Sequence, residues 1–203
     1  VPKPNETTKL VVSDDAAARR EVLADGALVI FTSGSTGLPK GVVLSHRAFH
    51  GKLQQNQRLF QIGPGTNTLL VLNNTFSFGI WVALLTLMQG GKLVTHERFT
   101  PSAFLSALWQ EEINFLAVVP TMIRASFGAL PSDELNAEKA RIAQIGHLRS
   151  VVIGGEALGR QLSAEVRDFI APAQLYDVFG LTETSTSDFV LAPQDYPMHP
   201  GSI

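Results

Sequence analysis

The sequence contains no cysteine, which excludes disulfides, thiolate-held metals and cysteine nucleophiles and fits a reducing compartment. The cytoplasm is therefore the expected location. An excess of charge of one sign is equally absent: 16 Lys and Arg stand against 18 Asp and Glu, the formal net charge is −2, and the basic residues are scattered. That balance predicts no nucleic-acid partner and no polybasic membrane patch. No apolar run approaches the roughly 18 to 20 residues of a membrane span. Residues 1–13, VPKPNETTKLVVS, lack the apolar stretch of a signal peptide. Repeats, low-complexity tracts and interior linkers are missing too. What is present is an ordinary globular composition, 203 residues of which 45% are hydrophobic, long enough for one good-sized core or two small lobes.

Strand-like and helix-like patterns alternate along the chain. After a polar lead-in come ALVIF at 27–31, read as a buried strand, VVLSH at 42–46 and an amphipathic stretch over 47–60. TLLVL at 68–72, an apolar helical stretch over 80–88 and GGKLV at 90–94 follow. Thr100 is placed to cap the next helix, with Pro101 at its first position. FLAVV at 115–119 is a strand stopped by Pro120, and two helical stretches follow, the second over 133–145. LRSVVI at 148–153 reads as a strand, 160–170 as a helix, and AQLYDVF at 173–179 as the last clear strand. The alternation predicts an α/β fold, a largely parallel sheet with helices on both faces.

Between the first two strands lies TSGSTGLPKG at 32–41, rich in residues that pack nothing. Its spacing departs from both common nucleotide templates. The G-x-x-x-x-G-K-[ST] loop leads into a helix, whereas here the next glycine after Gly34 is Gly37, Lys40 precedes Gly41, and the continuation is strand-like. G-x-G-x-x-G fails at Ser33-Gly34-Ser35. What the residues can build is an anion cradle, in which glycines admit close backbone approach, N–H groups and hydroxyls donate, and Lys40 adds positive charge. The bland alternative is a polar surface turn.

Together with VVIGGEAL at 151–158 and LYDVFGLTET at 175–184, this string resembles the three ordered signatures of the adenylate-forming superfamily, which includes acyl-CoA synthetases, peptide-synthetase adenylation domains and luciferases. The resemblance implies that ATP and a carboxylic acid give an acyl adenylate and pyrophosphate, with Mg²⁺ as cofactor and, in the acyl-CoA synthetase branch, CoA as acceptor. Thr32, Ser33, Gly34, Ser35, Thr36, Gly37 and Lys40 would then cradle the phosphates. Gly154 and Gly155 would run against adenine, with Glu156 orienting the segment. In the third signature, Asp177 would accept from the exocyclic amine, Phe179 would offer a flat face to the base, and Val178 and Gly180 would complete the ATP-binding set. Thr182 would donate to the α-phosphate and Glu183 would hold the metal; Lys40, Thr182 and Glu183 are the implied catalytic residues. Singly, Phe179 could equally be core, and Asp177 or Glu183 a loop carboxylate or cap.

His46 and His50 stand four apart, as a helical metal pair would, but no third ligand is near in sequence. His46 is expected to brace the loop instead. The segment NNTFSFGIWVALLTLMQGG at 73–91 resembles the family's acyl pocket, with Phe76, Ser77, Phe78 and Gly79 as candidate substrate contacts. Phe76 falls where the acyl-CoA synthetase branch usually has a histidine, and Gly79 where amino-acid-activating members carry an aspartate. An α-ammonium buried without a carboxylate is costly, so fatty or aryl acids are expected over amino acids. Ten residues separate Phe78-Gly79 from Gly90-Gly91, a spacing similar to the acyl-CoA synthetase branch. Trp81 is expected in the core.

The family's ribose-binding aspartate and mobile-domain lysine would lie downstream, and an N-terminal subdomain upstream. Residues 1–26 are accordingly expected to be a lead-in from a missing N-terminal subdomain, and 27–203 the central ATP- and acyl-binding segment of a longer protein lacking its C-terminal domain. Its partners would be the acid and those domains, and the isolated segment is expected to be inactive. The alternatives are a peptide-synthetase adenylation domain loading a carrier protein, or a nucleotide-binding module without chemistry.

Overall fold

The computed structural model describes residues 21–32 and 39–199. A short helix α1 (Glu21–Ala24) leads into an antiparallel hairpin of β1 (Gly26–Thr32) and β2 (Lys40–Ser45). Ser45 ends β2 and caps α2 (His46–Phe60), its side chain accepting from Ala48 N at 3.2 Å. The chain then runs β3 (Asn67–Leu70), α3 (Ser77–Met88), β4 (Lys92–Thr95), α4 (Pro101–Gln110) and β5 (Phe115–Val118). Helices α5 (Pro120–Gly128) and α6 (Ser132–Ile145) precede β6 (Ser150–Gly154), α7 (Arg160–Ile170) and β7 (Gln174–Phe179). A 3-10 turn (Thr182–Thr184) and β8 (Phe189–Leu191) close the series. As expected, Thr100 caps α4 by accepting from Ala103 N at 3.3 Å, with Pro101 opening the helix.

Strands β3 to β8 form one sheet in the order β4-β3-β5-β6-β7-β8, parallel throughout except for β8. From β3 the chain steps outward to β4, then returns past β3 to build the other half. Right-handed crossovers in opposite directions must place their helices on opposite faces. One face packs against α2, α3 and the hairpin through Phe49, Leu53, Trp81 and Leu85, the other against α4 to α7 through Phe104, Ile123, Val166 and Phe169. The strands show the period of two that this requires. Leu116, Val118, Val151 and Ile153 face the α4 to α7 layer, whereas Phe115, Ala117 and Val152 face the other.

Two expectations need correction. The first strand is not buried as a whole: Ile30 enters the core, but Val29 and Phe31 are exposed, because a hairpin lying over α2 has one covered face only. Nor is β7 the last strand. β8 pairs antiparallel to it through Asp177 and Leu191, Val178 and Val190, Phe179 and Phe189; three residues are too few to show periodicity, and the edge of β7 supplies the template.

Candidate active site

Where strand order reverses in a parallel sheet, the helices at the carboxyl ends diverge and leave a crevice. A cavity of about 540 Å³ opens there. Leu72 and Asn73 beyond β3, Val119 beyond β5, Gly155 and Glu156 beyond β6, and Gly180 and Thr182 beyond β7 contribute to its wall. The first turn of α3 supplies the rest of one side with Phe76, Ser77, Phe78 and Gly79. Four segments spread over about a hundred residues of chain thus meet, and Ser77 Oγ lies 3.5 Å from Thr182 Oγ1.

Packing explains why several of these residues are what they are. Trp81 is wholly buried and stacks between Phe78 and Phe60, with ring centroids 5.7 Å away on each side, so Phe78 presents an edge of an aromatic stack to the cavity. Gly79 is required by close approach: a Cβ there would lie 2.5 Å from the carbonyl oxygen of Asn73. The expected absence of an aspartate at this position therefore has a steric cause, since the 73–74 loop occupies the space a side chain would need. Gly154 is similarly confined, with a Cβ falling 2.5 Å from Val178 Cγ2, so β6 and β7 draw close beneath the cavity floor.

Electrostatics at the wall are sparse. Glu156 is the ionisable side chain on the described lining, and it is already engaged: Thr121 Oγ1 donates to its carboxylate at 2.6 Å, and Arg124 lies 3.7 Å away. Asp177 does not reach the cavity wall. It faces the α7 layer at 1% exposure, its Oδ2 meets no hydrogen-bond partner among the described residues, and burial raises its pKa to about 6 against the pull of the Val178 N–H. Phe179 is exposed and packs against Phe189, centroids 6.2 Å apart. Glu183 is exposed in the 3-10 turn beside Thr182, and Lys40 is exposed at the start of β2, paired across the hairpin with Thr32. Ser33, Gly34, Ser35, Thr36 and Gly37 lie outside the described residues. His46 opens α2 and His50 lies one turn on. Among the described residues no group of three His, Asp or Glu side chains is placed to hold a metal ion.

Sequence reasoning missed Leu72, Asn73, Val119, Met122 and Thr186 in the wall. It also missed Asp188, which accepts from the backbone N–H of Leu181 at 3.2 Å and from the Thr184 hydroxyl. Burial alone would raise its pKa, but the bonds from Thr184, Lys52 and Leu181 outweigh that and hold it below the usual aspartate value. A signal existed only for Val119, as the last residue of an apolar run before Pro120.

A family model described as AMP-binding enzyme matches residues 2–203. The chain belongs to the AMP-binding enzyme family. The FR901469 synthetase of Dothideomycetidae sp. (strain 11243) is 33% identical over 181 residues, covering 88% of this chain and 1% of that protein. The dimodular nonribosomal peptide synthase of Bacillus subtilis (strain 168) is 32% identical over 167 residues, covering 78% of this chain and 7% of that protein. The chain thus spans a small fraction of these relatives. Among solved structures, the o-succinylbenzoate CoA synthetase of Bacillus subtilis in complex with its acyl-adenylate intermediate superposes with a TM-score of 0.70 at 22% identity, over 87% of this chain and 43% of that one. The N-terminal domain of FACL13 from Mycobacterium tuberculosis gives 0.69 at 20% identity, over 87% and 42%. These two likenesses show the adenylate-forming fold, and the expected fold class and family both stand.

Proposed function

We propose that this chain is the nucleotide- and acyl-binding part of an AMP-forming ligase that converts a carboxylic acid and ATP to an acyl adenylate and pyrophosphate. The supporting observation is the convergence of Phe76 to Gly79, Gly155 and Glu156, and Gly180 and Thr182 on one cavity at the carboxyl ends of the strands. In this reading an oxygen of the bound carboxylate attacks the α-phosphorus, the bond to the bridging oxygen of the β-phosphate breaks, and pyrophosphate leaves with that electron pair. Charge builds on the α-phosphate oxygens, and groups already aimed there do most of the catalytic work. Thr182 would donate to them from the cavity edge, and Lys40, with the glycine- and hydroxyl-rich string at 32–37, would hold the distal phosphates. Glu183 and the neighbouring hydroxyls are hard oxygen donors, a set that fits Mg²⁺ once phosphate oxygens and water complete the shell. The metal would neutralise phosphate charge when bound.

The described wall is mostly apolar and its one carboxylate, Glu156, is committed to Thr121 and Arg124. An α-ammonium group would find no uncommitted carboxylate on the described wall, which supports a fatty or aryl acid over an amino acid. CoA is the acceptor in the branch this favours. A second reading, a carrier-protein thiol, is favoured by the likeness to the nonribosomal peptide synthase at 32% identity. Acid-dependent exchange of pyrophosphate into ATP by the full-length protein, run across fatty, aryl and amino acids, tests the first step. No exchange with any acid overturns the ligase reading, and a preference for amino acids overturns the substrate class. Thioester formation with free CoA or with a phosphopantetheine-bearing carrier then separates the two acceptors.

A further inference from the structure

The loop that carries Thr182 and Glu183 is held in an unfavourable shape from outside. Ser185, Thr186 and Ser187 follow one another with φ of 65°, 67° and 51°, a left-handed run that side-chain-bearing residues seldom adopt. All three are buried. Gly180 lies so close beneath Thr186 and Ser187 that a Cβ there would overlap their backbone. Local backbone bonds support the turn, the Thr186 N–H donating to the Leu181 carbonyl at 2.8 Å and the Asp188 N–H to the Phe179 carbonyl at 2.7 Å, but three left-handed residues in a row need further support from their surroundings.

Two side chains of α2 and two of the loop provide it. Lys52 Nζ donates to Asp188 Oδ1 at 3.1 Å and to the Ser187 carbonyl at 3.4 Å, in a half-buried setting. The other oxygen of Asp188 reaches back to the Leu181 N–H and the Thr184 hydroxyl, on either side of Thr182 and Glu183. Ser187 Oγ donates to Asn56 Oδ1 at 2.8 Å, one turn further along α2. Since α2 grows directly out of β2, this lattice ties the hairpin bearing Lys40 to the turn bearing Thr182 and Glu183.

We infer that Asp188, anchored by Lys52, is a positioning residue for adenylation: it sets the 181–187 loop so that Thr182 and Glu183 face the phosphates, and ties that loop to the hairpin that bears Lys40. The inference rests on the ligase reading above. It requires no contact between Asp188 and substrate. A small misplacement of preorganised groups costs far more in turnover than in substrate binding.

The test is kinetic, on the full-length protein. Asp188→Asn keeps the size of the side chain and removes its charge; kcat for pyrophosphate exchange should fall on the order of 10- to 100-fold while KM for the acid stays within about threefold. Lys52→Met should show most of the same loss, and Lys52→Arg should return kcat to within about threefold of wild type, because the cation is restored. A kcat within about twofold of wild type in Asp188→Asn, or a raised KM at unchanged kcat, overturns the inference. Should Asp188→Asn fail to fold, the Lys52→Met and Lys52→Arg pair decides by the same criteria. If the wild-type protein exchanges no pyrophosphate, the ligase reading falls, and amide hydrogen exchange across 181–188 judges the lattice separately. Acceleration of about tenfold or more in Asp188→Asn supports the lock, and exchange unchanged from wild type overturns it.

Discussion

Strands β5 and β7 run parallel, one strand apart, and end at the same cavity, yet they are composed differently. β5 is Phe115, Leu116, Ala117 and Val118, all buried, because helices cover both faces of the sheet at its centre. β7 is exposed at both ends and half-buried at Tyr176, carries Asp177 inside between Leu175 and Val178, and ends in exposed Phe179 before the loop that Asp188 holds. The first strand places the cavity and contributes little to its chemistry. The second sits beside the sheet edge and leads into the loop with Thr182 and Glu183, the residues proposed to act in catalysis. Stability and function should therefore respond to mutation on different strands.

The largest expected effect on folding comes from β5. Leu116→Ala removes side-chain volume from the centre of the α4 to α7 core, and chemical denaturation should show a loss of about 3 kcal/mol. A loss under about 1 kcal/mol would mean that the core relaxes around the gap and that β5 is no more structural than β7. Glu183→Gln, just past β7, should do the reverse. Pyrophosphate exchange should drop about 100-fold through weakened Mg²⁺ placement, with the denaturation midpoint unchanged, since the side chain is exposed. Exchange at the wild-type rate would remove the metal role from this residue.

Asp177 sharpens the comparison because it is a polar group at a position that core strands fill with an apolar one. Its folded-state pKa, about 6, lies above the ordinary 3.8, so the folded chain binds the proton more tightly than the unfolded chain. The stability this represents is fully present below 3.8 and is lost as pH rises through about 6. Asp177→Asn should accordingly stabilise the protein at pH 8, by up to about 3 kcal/mol, and have little effect near pH 3.5. Thermal melts of both proteins across that range check the sign, and a mutant no more stable than wild type at pH 8 would show that the carboxylate is satisfied there. Trp81→Phe should matter least. The indole nitrogen has no hydrogen-bond partner among the described residues, and the stacking on Phe60 and Phe78 is kept. A change within about 1 kcal/mol is expected, and a larger loss would show that the full indole volume is needed to shape the cavity wall.

Much of the scaffold is legible in the sequence. Helix α7 occupies the expected 160–170 because Leu162, Val166, Phe169 and Ile170 recur on one face, and Thr100 with Pro101 marked the start of α4. Parts of the candidate cavity are legible as well where a motif is contiguous, since the segments around Gly155 and Thr182 both line it. Other parts of the candidate site leave no trace in the sequence. Asp188 sits in the hydroxyl-rich TSTSDF stretch, and nothing in that composition points to Lys52, 136 residues away. Gly79 could be read as a lost aspartate, although its cause is the carbonyl of Asn73.

Local patterning by itself determined the alternation of strand and helix, the caps and the hydroxyl- and glycine-rich segments, because periodicity, capping and backbone freedom act over a few neighbouring residues. Tertiary structure alone decided that the chain reverses direction past β3, that β8 exists, that Asp177 turns away from the cavity, and that α2 grips the loop after β7. Each depends on contacts between residues distant in sequence, whose closure is set by the packing of the whole sheet and its two helical layers.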